Sequence, residues 1–77
     1  MSDKLADVFR QNVRSRMIKL GVTQVQMAQK IGVTQSHVNQ LLTGHRNPGL
    51  QSLEQFAAAL ETTAADLLKE SKISRSA

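Results

Sequence analysis

One stretch narrows the folds open to this chain more than any other: Thr23 to Thr43, TQVQMAQKIGVTQSHVNQLLT. Its apolar residues Met27, Ala28, Ile31, Val33, Val38, Leu41 and Leu42 recur at helical spacing in two short runs, and nearly everything between them is polar and uncharged. Thr23 followed three residues on by Gln26 is a capping box, in which each side chain satisfies the other residue's free backbone N–H. This predicts a helix from Gln24 to Ile31. Gly32 stands where the chain must leave that helix, a left-handed position that suits a residue without Cβ. Thr34 is then the cap of a second helix, Gln35 to Leu42. Two helices crossing steeply need a small side chain where their backbones approach, and Ala28 supplies it.

The flanks supply more helix. Leu5, Phe9, Val13, Met17 and Leu20, with Val8 and Ile18 close by, predict an amphipathic helix from Asp3 to Leu20. Asp3 and Asp7 suit its N-terminus and Lys19 its C-terminus. Gly21 should end it, with Val22 folding back on the last turn. Arg10, Gln11, Arg14 and Arg16 fall on its outer side. After Leu42, the run Thr43-Gly44-His45-Arg46-Asn47-Pro48-Gly49 is a loop by its Gly and Pro content. Leu50, Leu53, Phe56, Ala57 and Leu60 then predict a helix from Leu50 to Leu60, weakly capped by Gly49. Thr63 caps a last one, Ala64 to Glu70, with Asp66 at its third position and Leu67 and Leu68 facing inward. The tail 71–77, SKISRSA, has little to pack and is expected to be mobile.

Charge is segregated along the chain. The net charge is +4, yet no Asp or Glu lies between Val8 and Leu53, a span that holds Arg10, Arg14, Arg16, Lys19, Lys30 and Arg46. A surface without carboxylates suits a polyanion, since binding releases condensed counterions and meets no repulsion. The absence of Cys removes disulfides and thiolate zinc sites. His37 and His45 lack companions of metal-ligand spacing and are expected as polar contacts, so no metal or other cofactor is expected. No apolar run approaches the roughly 20 residues that span a bilayer, and no signal peptide core opens the chain, which predicts a cytoplasmic protein with no membrane partner. A core built from 77 residues is small, so dimerisation would add useful burial.

Counted with Gln24 as first residue, Ala28 is fifth, Gly32 ninth, Val38 fifteenth and Leu41 eighteenth. In that register the stretch resembles the helix-turn-helix of the Cro/CI-type phage repressor family, and PGLQSLEQFAAALETTAADLL resembles the family's continuation. The resemblance implies an all-α, compact five-helix, lambda-repressor-like DNA-binding domain over residues 1–70, with the helix-turn-helix at its second and third helices. Some relatives pair a basic residue late in the first helix with an acid at the end of the third. Here Met17 and Leu42 stand at those sites, which predicts an apolar contact. The family commonly has Gly after the fourth helix, where this chain has Glu61-Thr62, so the turn there is left open.

The third helix would then read DNA. At roughly 100° per residue, Thr34, Val38, Leu41 and Leu42 share one side, and Ser36, Gln40 and Thr43 lie opposite, flanked by Asn39 and His37. Gln35 projects from the first turn. Amide side chains can pair bidentately with adenine, and Ser with several bases. By motif position the resemblance implies base contacts from Gln35, Ser36 and Gln40, with Asn39 and His37 beside them. It implies phosphate contact at Gln24, where a helix N-terminus also favours an anion. Thr23, Thr43, His45, Arg46, Asn47 and Arg14 are expected near the DNA backbone.

The expected function is a sequence-specific, double-stranded DNA-binding transcription regulator of phage or bacterial type, a repressor acting as a homodimer on a two-fold related operator. The rival is an antitoxin or adaptor-type protein-interaction module on the same fold. It has no need of a polar helix face free of carboxylates. An enzyme is not expected, because the chain lacks a nucleophile–base set, paired carboxylates or a phosphate-cradling glycine loop, and no small-molecule ligand is implied.

Overall fold

A computed structural model describes residues 4–70. The expected start at Asp3 and the expected mobile tail 71–77 lie outside the described residues. Within them the chain forms five helices and no strand: α1 (Lys4–Leu20), α2 (Gln24–Ile31), α3 (Gln35–Thr43), α4 (Leu50–Ala59) and α5 (Ala64–Leu67). α2 packs on α3 and α4, α1 on α3 and α5, and α4 on α5.

Local chemistry starts and stops these helices where the sequence signals stand. Both halves of the Thr23/Gln26 capping box form, at 3.1 and 2.9 Å. Thr34 Oγ1 accepts from the His37 N–H, and Thr63 Oγ1 from the Asp66 N–H, each at 3.1 Å. Gly32 closes α2 at φ 85°, its N–H donating to the Ala28 carbonyl. The Val22 N–H folds back to the Met17 carbonyl at 2.9 Å, with Gly21 left-handed between them. Gly49 precedes α4 without a side-chain cap.

The core is one cluster. Phe9, Val13, Met17, Met27, Val38, Leu41, Leu42, Phe56, Leu60 and Leu67 are buried in it together with Ala28 and Ala57. Phe9 and Phe56 meet edge to face with ring centroids 5.6 Å apart, which ties α1 to α4. Met17 and Leu42 are both buried in this cluster, as expected for an apolar substitute for an ion pair. Ile31 and Val33 pack against its margin, only partly buried.

Four expectations need correction. On α1, Leu5 is 58% exposed and Ile18 81% exposed, and Leu20 is also exposed; Ala6 is buried instead. Ala6 lies seven residues before Val13, two helical turns along the same face, whereas Leu5 and Leu20 occupy end turns. Leu50, placed on the inner face of α4, is 74% exposed for the same reason: it begins the helix, ahead of the turns that meet the core. α5 ends at Leu67, not Glu70. The Asn12 side chain takes the carbonyls of Leu67 at 2.7 Å and Lys69 at 2.8 Å, so the chain bends around Asn12 rather than continuing its ladder. Arg10 and Arg16, expected on the open side of α1, are instead half-buried against carbonyls of other helices. Two boundaries also shift by one residue, α3 running to Thr43 and α4 ending at Ala59.

Candidate nucleic-acid interface

α3 separates two kinds of side chain because its length is two and a half turns and its apolar residues recur three and four apart. Val38, Leu41 and Leu42 enter the core, while Gln35, Ser36, Asn39 and Thr43 are exposed and His37 and Gln40 are half-exposed. The outer face therefore carries amides, hydroxyls and an imidazole, with no carboxylate. Such groups can accept from or donate to base edges, and a rigid helix presents them at fixed spacing.

Two segments flank this face. On one side is the start of α2, where Thr23 is exposed and Gln24 half-exposed. Gln24 Oε1 accepts from Asn39 Nδ2 at 3.3 Å, so the first turn of α2 is joined to the middle of α3. Arg14, Thr23, Gln24 and Leu42 border one open, largely apolar depression, which puts a cation beside that helix N-terminus. On the other side is the loop after α3, with Thr43, His45, Arg46 and Asn47 all exposed. Thr43 Oγ1 donates to the Asn39 carbonyl at 2.8 Å and lies 2.9 Å from His45 Nδ1. Arg46 Nε donates to Gln40 Oε1 at 3.2 Å.

Eleven of the twelve residues singled out from the sequence thus fall on α3 or on the two segments beside it, and the twelfth, Arg14, reaches the same margin from α1. Arg14 does so by donating from Nη2 to the Leu42 carbonyl at 2.7 Å.

Nothing in the spacing of residues points to what Arg10 does. Its Nε donates to the Leu41 carbonyl at 2.8 Å, and its Nη2 to Asn47 Oδ1 at 3.1 Å and the Arg46 carbonyl at 3.4 Å. Its Nη1 pairs with Asp7 at 2.9 Å. α3 has no basic residue in its own last turn to meet its terminal carbonyls. That shortage was visible in the sequence; the donor, 31 residues away, was not. Arg16 does the same for the end of α4, binding the carbonyls of Leu60 and Glu61, each at 3.0 Å. Part of the cationic surface read from the sequence is therefore spent on helix ends.

Among the described residues, no three His, Asp or Glu side chains come together as a metal site, and no helix is long and apolar enough to cross a membrane.

Residues 13–67 match the model of a helix-turn-helix family, the Cro/CI type. No curated protein matches the sequence. Among solved structures, a hypothetical transcription factor from Neisseria is 27% identical, with a TM-score of 0.82 over 97% of this chain and 87% of its own. The restriction-modification controller protein C.AhdI from Aeromonas hydrophila is 27% identical, with a TM-score of 0.74 over 80% of this chain and 94% of that one. An SOS-response transcriptional repressor, LexA from Eubacterium rectale, is 26% identical, with a TM-score of 0.81 over 95% of this chain and 78% of that one.

Proposed function

Because the chain belongs to the Cro/CI-type helix-turn-helix family of DNA-binding transcription regulators, we propose that it is a repressor that binds a two-fold symmetric operator as a homodimer. The observation that carries this reading is the outer face of α3, a rigid row of exposed amide and hydroxyl side chains in a span of sequence without a single carboxylate. α3 enters the major groove of double-stranded DNA from its N-terminal end, so that Gln35 and Ser36 meet bases first, with Asn39, Gln40 and His37 following. Gln24, Thr23 and Arg14 on one side, and Thr43, His45, Arg46 and Asn47 on the other, contact the two phosphate backbones. The free N–H groups and positive end of α2 suit a phosphate at Gln24. Phosphate contacts set the register, and base contacts set the sequence.

A single copy offers one recognition helix. Two related by a dyad would place a pair about 34 Å apart, one turn of the duplex, which matches a palindromic site. The surface we assign to the dimer is the end of the molecule near α5, where Leu5, Ala6, Pro48, Leu53 and Leu68 line an apolar depression. Likeness to a transcriptional repressor and to a controller protein supports the regulatory reading.

The test is selection of bound fragments from random duplex DNA, with the consensus read for two-fold symmetry. On the selected site, Gln35→Ala should cost about 1–3 kcal/mol and relax preference at the base it reaches. If both Gln35→Ala and Gln40→Ala leave affinity and base preference intact, the reading face has been assigned wrongly.

A further inference from the structure

We propose that Arg46 sets the base preference of Gln40, turning an amide suited to adenine into a donor directed at guanine. The inference rests on the DNA-reading role proposed for α3. It begins with the backbone. α3 ends on left-handed Gly44, and the N–H groups of both His45 and Arg46 return to the Gln40 carbonyl, at 3.0 and 3.1 Å. This brings residue 46 back alongside residue 40. The Arg46 carbonyl is held in turn by Arg10, which is anchored on α3 at Leu41. From that fixed backbone, Arg46 Nε donates to Gln40 Oε1 at 3.2 Å.

A guanidinium has five donors and no acceptor, so the Gln40 atom facing it is the oxygen. The amide therefore has a defined sense, its oxygen toward the cation and its Nε2 donors elsewhere. Bidentate pairing with adenine needs the amide oxygen to accept from the N6 amino group while Nε2 donates to N7. Here that oxygen is already engaged by a positive charge, which repels an approaching amino group. Guanine presents O6 and N7, both acceptors, and these suit the Gln40 Nε2 group, while the outer nitrogens of Arg46 stay available to the backbone phosphate. Gln35 has no such partner among the described residues and keeps both halves of its amide.

Selection from random duplexes with the wild type, Gln40→Ala, Arg46→Ala and Arg46→Met tests this. The position that relaxes in Gln40→Ala identifies the base that Gln40 reads. There the wild type is expected to favour guanine over adenine by about tenfold, and Arg46→Met and Arg46→Ala to move the preference toward adenine by about tenfold while other positions hold. In the free protein, the Arg46 Nε–H resonance is expected to move in Gln40→Ala, a readout that needs neither DNA nor an Arg46 variant. The proposal is overturned if both Arg46 variants weaken all sequences alike with the preference unchanged, as a phosphate contact alone would. It is equally overturned if the wild type favours adenine there, if Gln40→Ala relaxes no position, or if that resonance stays where it was. A wild type that selects no consensus at all fails one step earlier, and takes the regulator reading down with this one.

Discussion

Arg10 joins α1 to the end of α3 and to the loop beyond it, and its side chain is only 13% exposed. A charged donor to a carbonyl in a shielded place contributes about 1.5–3 kcal/mol, most of it the penalty of leaving that carbonyl unpaired. Arg10→Met should therefore destabilise the fold by about that amount in urea unfolding. By contrast, the Lys4–Glu70 pair at 3.2 Å lies in solvent and should contribute little. Glu61 is the other residue whose cost can be stated. It takes φ 59° with a side chain that disfavours that region. Glu61→Gly is expected to stabilise by about 0.5–1 kcal/mol, the relieved strain being partly offset by the freer unfolded chain. A rise in melting temperature would register it, and a fall would mean the left-handed turn is not strained. Arg16 binds the Glu61 carbonyl, which the substitution leaves in place.

At the scale of elements, α2 and α3 were readable because their signals are local. Capping residues, the left-handed glycine and the apolar spacing all act within a few residues, and the expected and observed bounds agree to within one. α1 ends at Leu20 as expected and α4 falls one residue short, but their exposed leucines show that periodicity finds a face without saying how much of it is covered. α5 was overestimated because what ends it comes from elsewhere. Asn12 competes for the carbonyls at its C-terminus, and no feature of Ala64 to Glu70 announces this. Asn12→Ala should loosen that segment, so amide exchange at Leu68 and Lys69 should speed up by about tenfold, for the loss of roughly 1–1.5 kcal/mol of hydrogen bonding. If α5 also forms the proposed dimer surface, the same variant weakens self-association, which sedimentation would reveal.

For the whole molecule, the segregation of charge is the property that bears on partners. Of the cations in the acid-free span, Arg10 and Arg16 are committed to carbonyls and Arg14 shares its charge with one. The number of phosphates neutralised should thus be lower than a count of cations suggests. A plot of log affinity against log salt is expected to have a slope near −0.9 for each phosphate contact, with Arg10→Met changing it far less than Arg14→Ala. Equal changes in slope would mean Arg10 meets the DNA directly.

The sequence by itself determined the helices, their caps, the left-handed Gly21 and Gly32, the polar outer row of α3 and the membership of the core near its centre. Each depends on neighbours three or four residues away or on the balance of apolar and polar groups along a face. Only the tertiary structure decided which cations serve the fold, where α5 stops, that Glu61 is left-handed, and that Gln40 and Arg46 act as a pair. Those outcomes turn on donors brought to carbonyls and amides by packing of helices distant in the chain, or by a loop folded back on its own helix, and spacing along the sequence does not encode such distances.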